Sequence, residues 1–255
     1  MQKLIGCTIL LLFLAPNVMG QDMSAYKKEV FKKGKHTMPY RILLPENYNP
    51  DTAYPLLLFL HGSGERGNDN ELPLVHGAPL FLKKEVREKY PAIVVFPQCP
   101  IESQWSNMKV VGDKFVFQKK GKPTIAMKMV QKLMKSLFRE YKIDRSKIYV
   151  GGLSMGGMGT FEIVRRNPKT FAAAFPICGG ANPGTAAKLI QTNWWVFHGD
   201  KDGVVPFEYS ENMVKALEQV NAKVKFSLYS GVGHNSWENA FAEPQLLTWL
   251  FSNSK

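Results

Sequence analysis

Between residues 56 and 229 the chain alternates short, almost uninterrupted apolar runs with longer segments of helical period. The runs cover 56–60, 93–96, 148–151, 171–177, 194–198 and 224–229. They are apolar at nearly every position and too short for buried helices, which is how strands covered on both faces read. Helices are expected over about 79–89, 124–141, 155–166, 208–220 and 236–251. This alternation predicts an α/β fold, with a mostly parallel central sheet and helices on both faces. Residues 26–31 and 37–44 alternate around Lys33-Gly34-Lys35 and read as an antiparallel pair. Ligands of such sheets sit beyond the carboxyl ends of the strands, so the residues just after each run are the candidates for chemistry.

The first twenty residues follow another logic. Lys3 precedes an apolar run over 4–15, which falls short of the roughly 20 residues that span a bilayer as a helix. Val18-Met19-Gly20 offers small or apolar residues where a signal peptidase reads. A signal peptide over 1–20 is expected, with a mature domain over 21–255 placed in the periplasm or outside the cell. An uncleaved anchor is the alternative. Leu4-Ile5-Gly6-Cys7 is lipobox-like but stands ahead of most of the apolar run, which a lipobox follows. No membrane partner is expected after cleavage.

Lys3 is the only charged residue in 1–20, so the net charge of +12 becomes +11 in the mature chain. The basic residues are scattered, with no aromatic-interleaved stripe and no helix-turn-helix pattern, so nucleic acid is not expected as a partner. At 45% hydrophobic and 21% charged, the composition excludes collagen-like and disordered chains. Three cysteines exclude a scaffold built on disulfides.

Directly after the run 148–151 comes Gly152-Leu153-Ser154-Met155-Gly156, followed by a helix. This is G-x-S-x-G between strand and helix, where a sharp turn lifts the serine hydroxyl above the sheet. Side chains two residues to either side would meet neighbouring backbone, and both positions are glycine. The serine also opens a helix, whose free N–H groups favour developing negative charge. A serine hydroxyl needs a base, and the base needs a carboxylate to orient it. In this arrangement the chain order is serine, acid, histidine. His36, His61 and His76 precede Ser154, and His198 lies at the end of a strand. His234, in Gly231-Val232-Gly233-His234-Asn235-Ser236-Trp237, follows the last strand and is the expected base. The acid should follow the run 194–198, where Asp200 and Asp202 both stand.

The stretch His198-Gly199-Asp200-Lys201-Asp202-Gly203-Val204-Val205-Pro206 resembles the H-G-x-x-D-x-x-V-P segment of the α/β-hydrolase superfamily. That resemblance implies Asp202 as the acid and leaves Asp200 as a turn residue. It also implies an oxyanion hole from the N–H groups of Met155 and of Ser63, in His61-Gly62-Ser63-Gly64-Glu65-Arg66-Gly67, with Gly64 as the alternate donor. Gly62, Gly64 and Gly67 spell a dinucleotide-binding G-x-G-x-x-G as well. Glu65 and Arg66 crowd that loop, Pro73 interrupts the place where a helix should open, and the next strand ends at Pro97 without a ribose-binding acid, so this reading is set aside.

Through 21–255 the chain is similar to secreted bacterial esterases of the phospholipase/carboxylesterase kind, neighbours of feruloyl and acetyl-xylan esterases. The motifs that carry the likeness include Phe96-Pro97-Gln98-Cys99-Pro100 and Gly233-His234-Asn235-Ser236-Trp237. The resemblance implies hydrolysis of carboxylic esters, small or polysaccharide-linked, with no cofactor. A serine peptidase like the catalytic domain of prolyl oligopeptidases is the alternative. Only 16 residues separate the runs ending at Ile177 and starting at Trp194, so no large cap is expected. Trp105 and Trp237 are candidate stacking platforms for substrate, and the basic connection over 109–122 could overhang the site. Cys99 and Cys178 follow strands that the superfamily's order sets roughly 14 Å apart at about 4.8 Å per strand, so free thiols are expected. No metal is expected, because no clustered Cys/His spacing is present.

Overall fold

The computed structural model describes residues 22–255. The expected leader and its cleavage point lie outside the described residues. The strands are β1 (Lys27–Lys33), β2 (His36–Leu43), β3 (Tyr54–Leu60), β4 (Ile93–Pro97), β5 (Met108–Val111), β6 (Lys114–Phe117), β7 (Ile143–Leu153), β8 (Ala173–Ile177), β9 (Asn193–Gly199) and β10 (Val224–Tyr229). The helices are α1 (Ala78–Leu82), α2 (Lys84–Lys89), α3 (Ile125–Glu140), α4 (Met155–Arg166), α5 (Glu208–Gln219), α6 (Trp237–Ala242) and α7 (Leu246–Ser252).

Eight strands form one sheet in the order β1-β2-β4-β3-β7-β8-β9-β10. Only β2 runs antiparallel to its neighbours; the remaining pairs are parallel. The period of two along β3 sorts its side chains between two cores. Leu56, Leu58 and Leu60 join Val130 and Leu137 of α3 and Phe161 of α4 on one face. Leu57 and Phe59 join Phe81 of α1, Ala240 of α6 and Leu250 of α7 on the other. Helix α3 starts where Thr124 Oγ1 accepts from Met127 N at 3.1 Å, and it buries Met127, Val130, Met134 and Leu137 along one stripe. This is the mostly parallel, doubly covered sheet expected from the sequence. Between β8 and β9 there is no large cap, only a short 3-10 helix over Pro183–Lys188.

Two expected helices are each broken in two. Lys83, at φ −60° and ψ 131°, separates α1 from α2. Glu243 is held extended at ψ 114° by the ring of Pro244, and this separates α6 from α7. Within the connection over 109–122, β5 and β6 form a hairpin that turns at Gly112, φ +57°. Its Phe117 packs on Met158 of α4 and on Val205, beside the candidate site.

Candidate active site

At the carboxyl end of β7 the chain reverses into α4 through Ser154, which has φ +53° and ψ −118°. A side chain there costs on the order of 1–3 kcal/mol, and the packing around the turn enforces it. A Cβ on Gly156 would stand 1.8 Å from the Leu60 carbonyl oxygen, and one on Gly152 would stand 2.6 Å from the same atom. Glycine at both positions lets β3, β7 and α4 close on one another. Ser154 N donates to Ile177 O at 2.9 Å, and Ser154 O accepts from Met158 N at 3.0 Å. The turn is thus tied to β8 and to its own helix.

Ser154 Oγ lies 2.9 Å from Nε2 of His234, and Nδ1 of His234 lies 2.7 Å from Oδ2 of Asp202. The three side chains come from the ends of β7, β9 and β10. Paired backbone bonds hold the two loops together: Asp200 N donates to Tyr229 O at 3.0 Å, and Lys201 N to Val232 O at 2.9 Å. Asp200 turns away from His234, and its Oδ1 accepts from Gly231 N at 2.7 Å. The side chain of Asp202 is fully buried and that of His234 is 20% exposed. Burial by itself would raise the Asp202 carboxyl. Hydrogen bonds from His198, His234 and the N–H groups of Val205 and Val204 outweigh it and hold the group well below the usual carboxylate range. An ionised carboxylate on Nδ1 leaves Nε2 free to take the Ser154 proton.

The loop after β3 supplies the other wall. His61 is buried, its Nδ1 donates to Gly62 O at 2.6 Å and its Nε2 accepts from Cys99 N at 3.0 Å. Burial pulls its pKa down to about 4, so the ring is neutral. Gln98 joins the same loop, with Oε1 accepting from Asn70 N at 2.8 Å and Nε2 donating to Glu65 O at 3.2 Å. These bonds fix the backbone around Ser63. Neither the Ser63 nor the Met155 N–H donates to another group among the described residues. Both are available to an anionic oxygen.

Trp105 departs from expectation. It is fully buried, and its Nε1 donates to His61 O at 3.0 Å. It braces the oxyanion-side loop and has no face for a ligand. Trp237 is partly exposed and stands edge-on to His234, with ring centroids 5.4 Å apart. Cys99 and Cys178 are free, as the strand order led us to expect. Sγ of Cys178 and one ligand atom each of Asp202 and His234 lie within 4.8 Å of one another, the one such cluster among the described residues. Burial pushes that thiol up to about 12, and both Asp202 oxygens already accept hydrogen bonds, so the group is poorly disposed to hold a cation. Sequence reasoning missed His198 as a partner of Asp202, although its spacing from that residue was in view. It also passed over Glu65, which carries no signal beyond its place in the loop.

A sequence model of the phospholipase/carboxylesterase family matches residues 48–245. The "Probable feruloyl esterase C" of Aspergillus oryzae is 24% identical over 204 residues, 78% of this chain and 69% of that protein. A bifunctional acetylxylan esterase/xylanase of Neocallimastix patriciarum is 27% identical over 176 residues, 68% of this chain but 23% of that protein. Among solved structures, a thermostable esterase is 35% identical with a TM-score of 0.83. The match covers 91% of this chain and 64% of the longer one.

Proposed function

The chain belongs to the phospholipase/carboxylesterase family and is a carboxylic-ester hydrolase, and from that premise we propose that Ser154, His234 and Asp202 carry the reaction through an acyl-enzyme. The observation that carries this reading is the unbroken path of 2.9 and 2.7 Å from hydroxyl to imidazole to carboxylate. His234 Nε2 takes the Ser154 proton as Oγ attacks the ester carbonyl. The Ser63 and Met155 N–H groups hold the resulting oxyanion. His234 then protonates the leaving alkoxide, and water activated by the same nitrogen releases the acid. Asp202 keeps the proton of neutral His234 on Nδ1 throughout. The substrates are acetyl or feruloyl groups linked to carbohydrate, or other small acyl esters, a reading supported by the relatives named above. Export to the periplasm or the medium is part of the same reading, supported by Lys3 and the apolar run over 4–15.

Ser154→Ala and His234→Ala should each lower turnover of a simple aryl ester by about 10³-fold or more with the fold retained. A fluorophosphonate should label Ser154 stoichiometrically. Undiminished turnover in either variant refutes the assignment. Faster cleavage of a proline-containing peptide than of any ester would instead favour the peptidase alternative.

A further inference from the structure

Glu65 stands in the oxyanion-side loop, two residues after Ser63. Its Oε2 is buried and has no hydrogen-bond partner. The oxygen lies 2.9 Å from the point where a Gly62 Cβ would stand, and Ser154 Cβ lies 3.7 Å from the same point. The Glu65 carboxyl and the Ser154 Cβ thus both stand at the space that the missing Gly62 side chain leaves open. Its other oxygen faces Nε2 of His76 at 3.8 Å, beyond hydrogen-bond length. The neighbouring Arg66 gives it no charge partner, since its guanidinium is spent on the carbonyls of Ser63 and Ile101. A buried carboxylate oxygen without a donor is costly. That cost is recovered when a ligand brings the donor.

From Glu65 a continuous wall runs outward. The His76 ring lies 5.1 Å from Trp237, and Trp237 lies 5.4 Å from His234. Beyond them is a groove of about 360 Å³, lined by His76, Trp237, Phe241 and Lys83 among others. A leaving alkoxide must sit against His234 to be protonated, so a wall that touches His234 flanks the alcohol half of the ester. Aromatic faces suit a ring, Glu65 calls for hydroxyl or N–H donors, and the groove carries one charge of each sign, Lys83 and Glu238.

We infer that Glu65, with His76 and Trp237, forms the subsite for the alcohol half of the ester, and that this alcohol is a polyhydroxylated ring. The inference rests on the Ser154 reading above and narrows it to esters on a sugar hydroxyl. Glu65 accepts from a hydroxyl next to the ester, and the ring lies along Trp237.

The test compares a monoacetylated methyl xyloside with cyclohexyl acetate, two esters of similar ring size that differ in free hydroxyls. Wild type should favour the sugar ester in kcat/KM. Glu65→Gln should shrink that preference about tenfold or more, as expected for loss of a charge-assisted hydrogen bond. Trp237→Leu should shrink it as well. An unchanged preference in Glu65→Gln, or an equal loss on both esters, overturns the subsite. Undiminished turnover of both esters in Ser154→Ala would overturn the Ser154 reading instead, so the two failures are distinguishable.

Discussion

His198 Nε2 lies 3.1 Å from Oδ2 of Asp202, the oxygen that also takes Nδ1 of His234. His198 is fully buried, and the same Nε2 faces Val205 O at 2.8 Å. Both neighbours accept, so the ring carries its proton there. Oδ1 of Asp202 accepts from the Val204 and Val205 N–H groups, each at 2.9 Å. Asp202 is thus held from four directions, and its geometry toward His234 depends on a second imidazole.

His198 is therefore a positioning residue with a measurable signature. His198→Phe removes one donor from Asp202 and orphans Val205 O. We expect kcat to fall about tenfold with KM little changed, and stability to fall by about 1–3 kcal/mol. The Asp202 carboxyl should titrate at higher pH once it loses a donor, so its titration profile followed by NMR should move upward in pH. An unmoved profile would reduce His198 to packing alone.

Ser154 holds a side chain at φ +53°, a region that favours glycine. Ser154→Gly should abolish ester turnover yet unfold at higher temperature than Ser154→Ala, because glycine alone relieves the backbone. A relief of about 1 kcal/mol corresponds to roughly 2–4 °C in a chain of this size. Calorimetry on the two variants decides it, and equal melting temperatures would show that the turn stores no strain.

Burial pushes both described thiols, Cys99 and Cys178, up to about 12. Thiolate is the reactive form, so neither should react with Ellman's reagent in the native protein at pH 8, and both should react after unfolding in guanidinium. Rapid native labelling of Cys178 would mean that the base of the site opens.

His61 should make stability depend on pH. Its folded pKa is depressed to about 4 by burial, below the 6.5 of an exposed imidazole. Between those values the unfolded chain binds a proton that the folded chain excludes. The contribution is complete above about pH 6.5 and is lost as pH falls toward 4, on the order of 3 kcal/mol in all. Denaturant midpoints across that range should show the loss, and His61→Asn should lack that share of it. An NMR titration of His61 with a midpoint near 6.5 would contradict the burial argument.

The alternation of runs and the G-x-S-x-G turn were readable because their causes are local. A strand covered on both faces must be apolar at successive positions, and glycines two residues to either side of a serine mark the strand–turn–helix reversal, although the atom a Gly156 Cβ would meet, Leu60 O, comes from the neighbouring strand β3. The break at Pro244 has an equally local cause, a ring acting on its own neighbour, yet the apolar periodicity over 236–251 runs one helix through it. Other features depend on which strands lie side by side. The order β4-β3-β7 sets Cys99 N against His61 Nε2 and folds Trp105 beneath that loop, which is why an aromatic side chain that could have faced a sugar is fully buried. Adjacent β9 and β10 turn Asp200 toward Gly231 and Asp202 toward His234, two carboxylates that composition and spacing leave equal. The unpaired oxygen of Glu65 is of the same kind. Sequence neighbours determine backbone conformation within a few residues, whereas the partner of a buried polar atom lies tens of residues away and exists only once the sheet has closed.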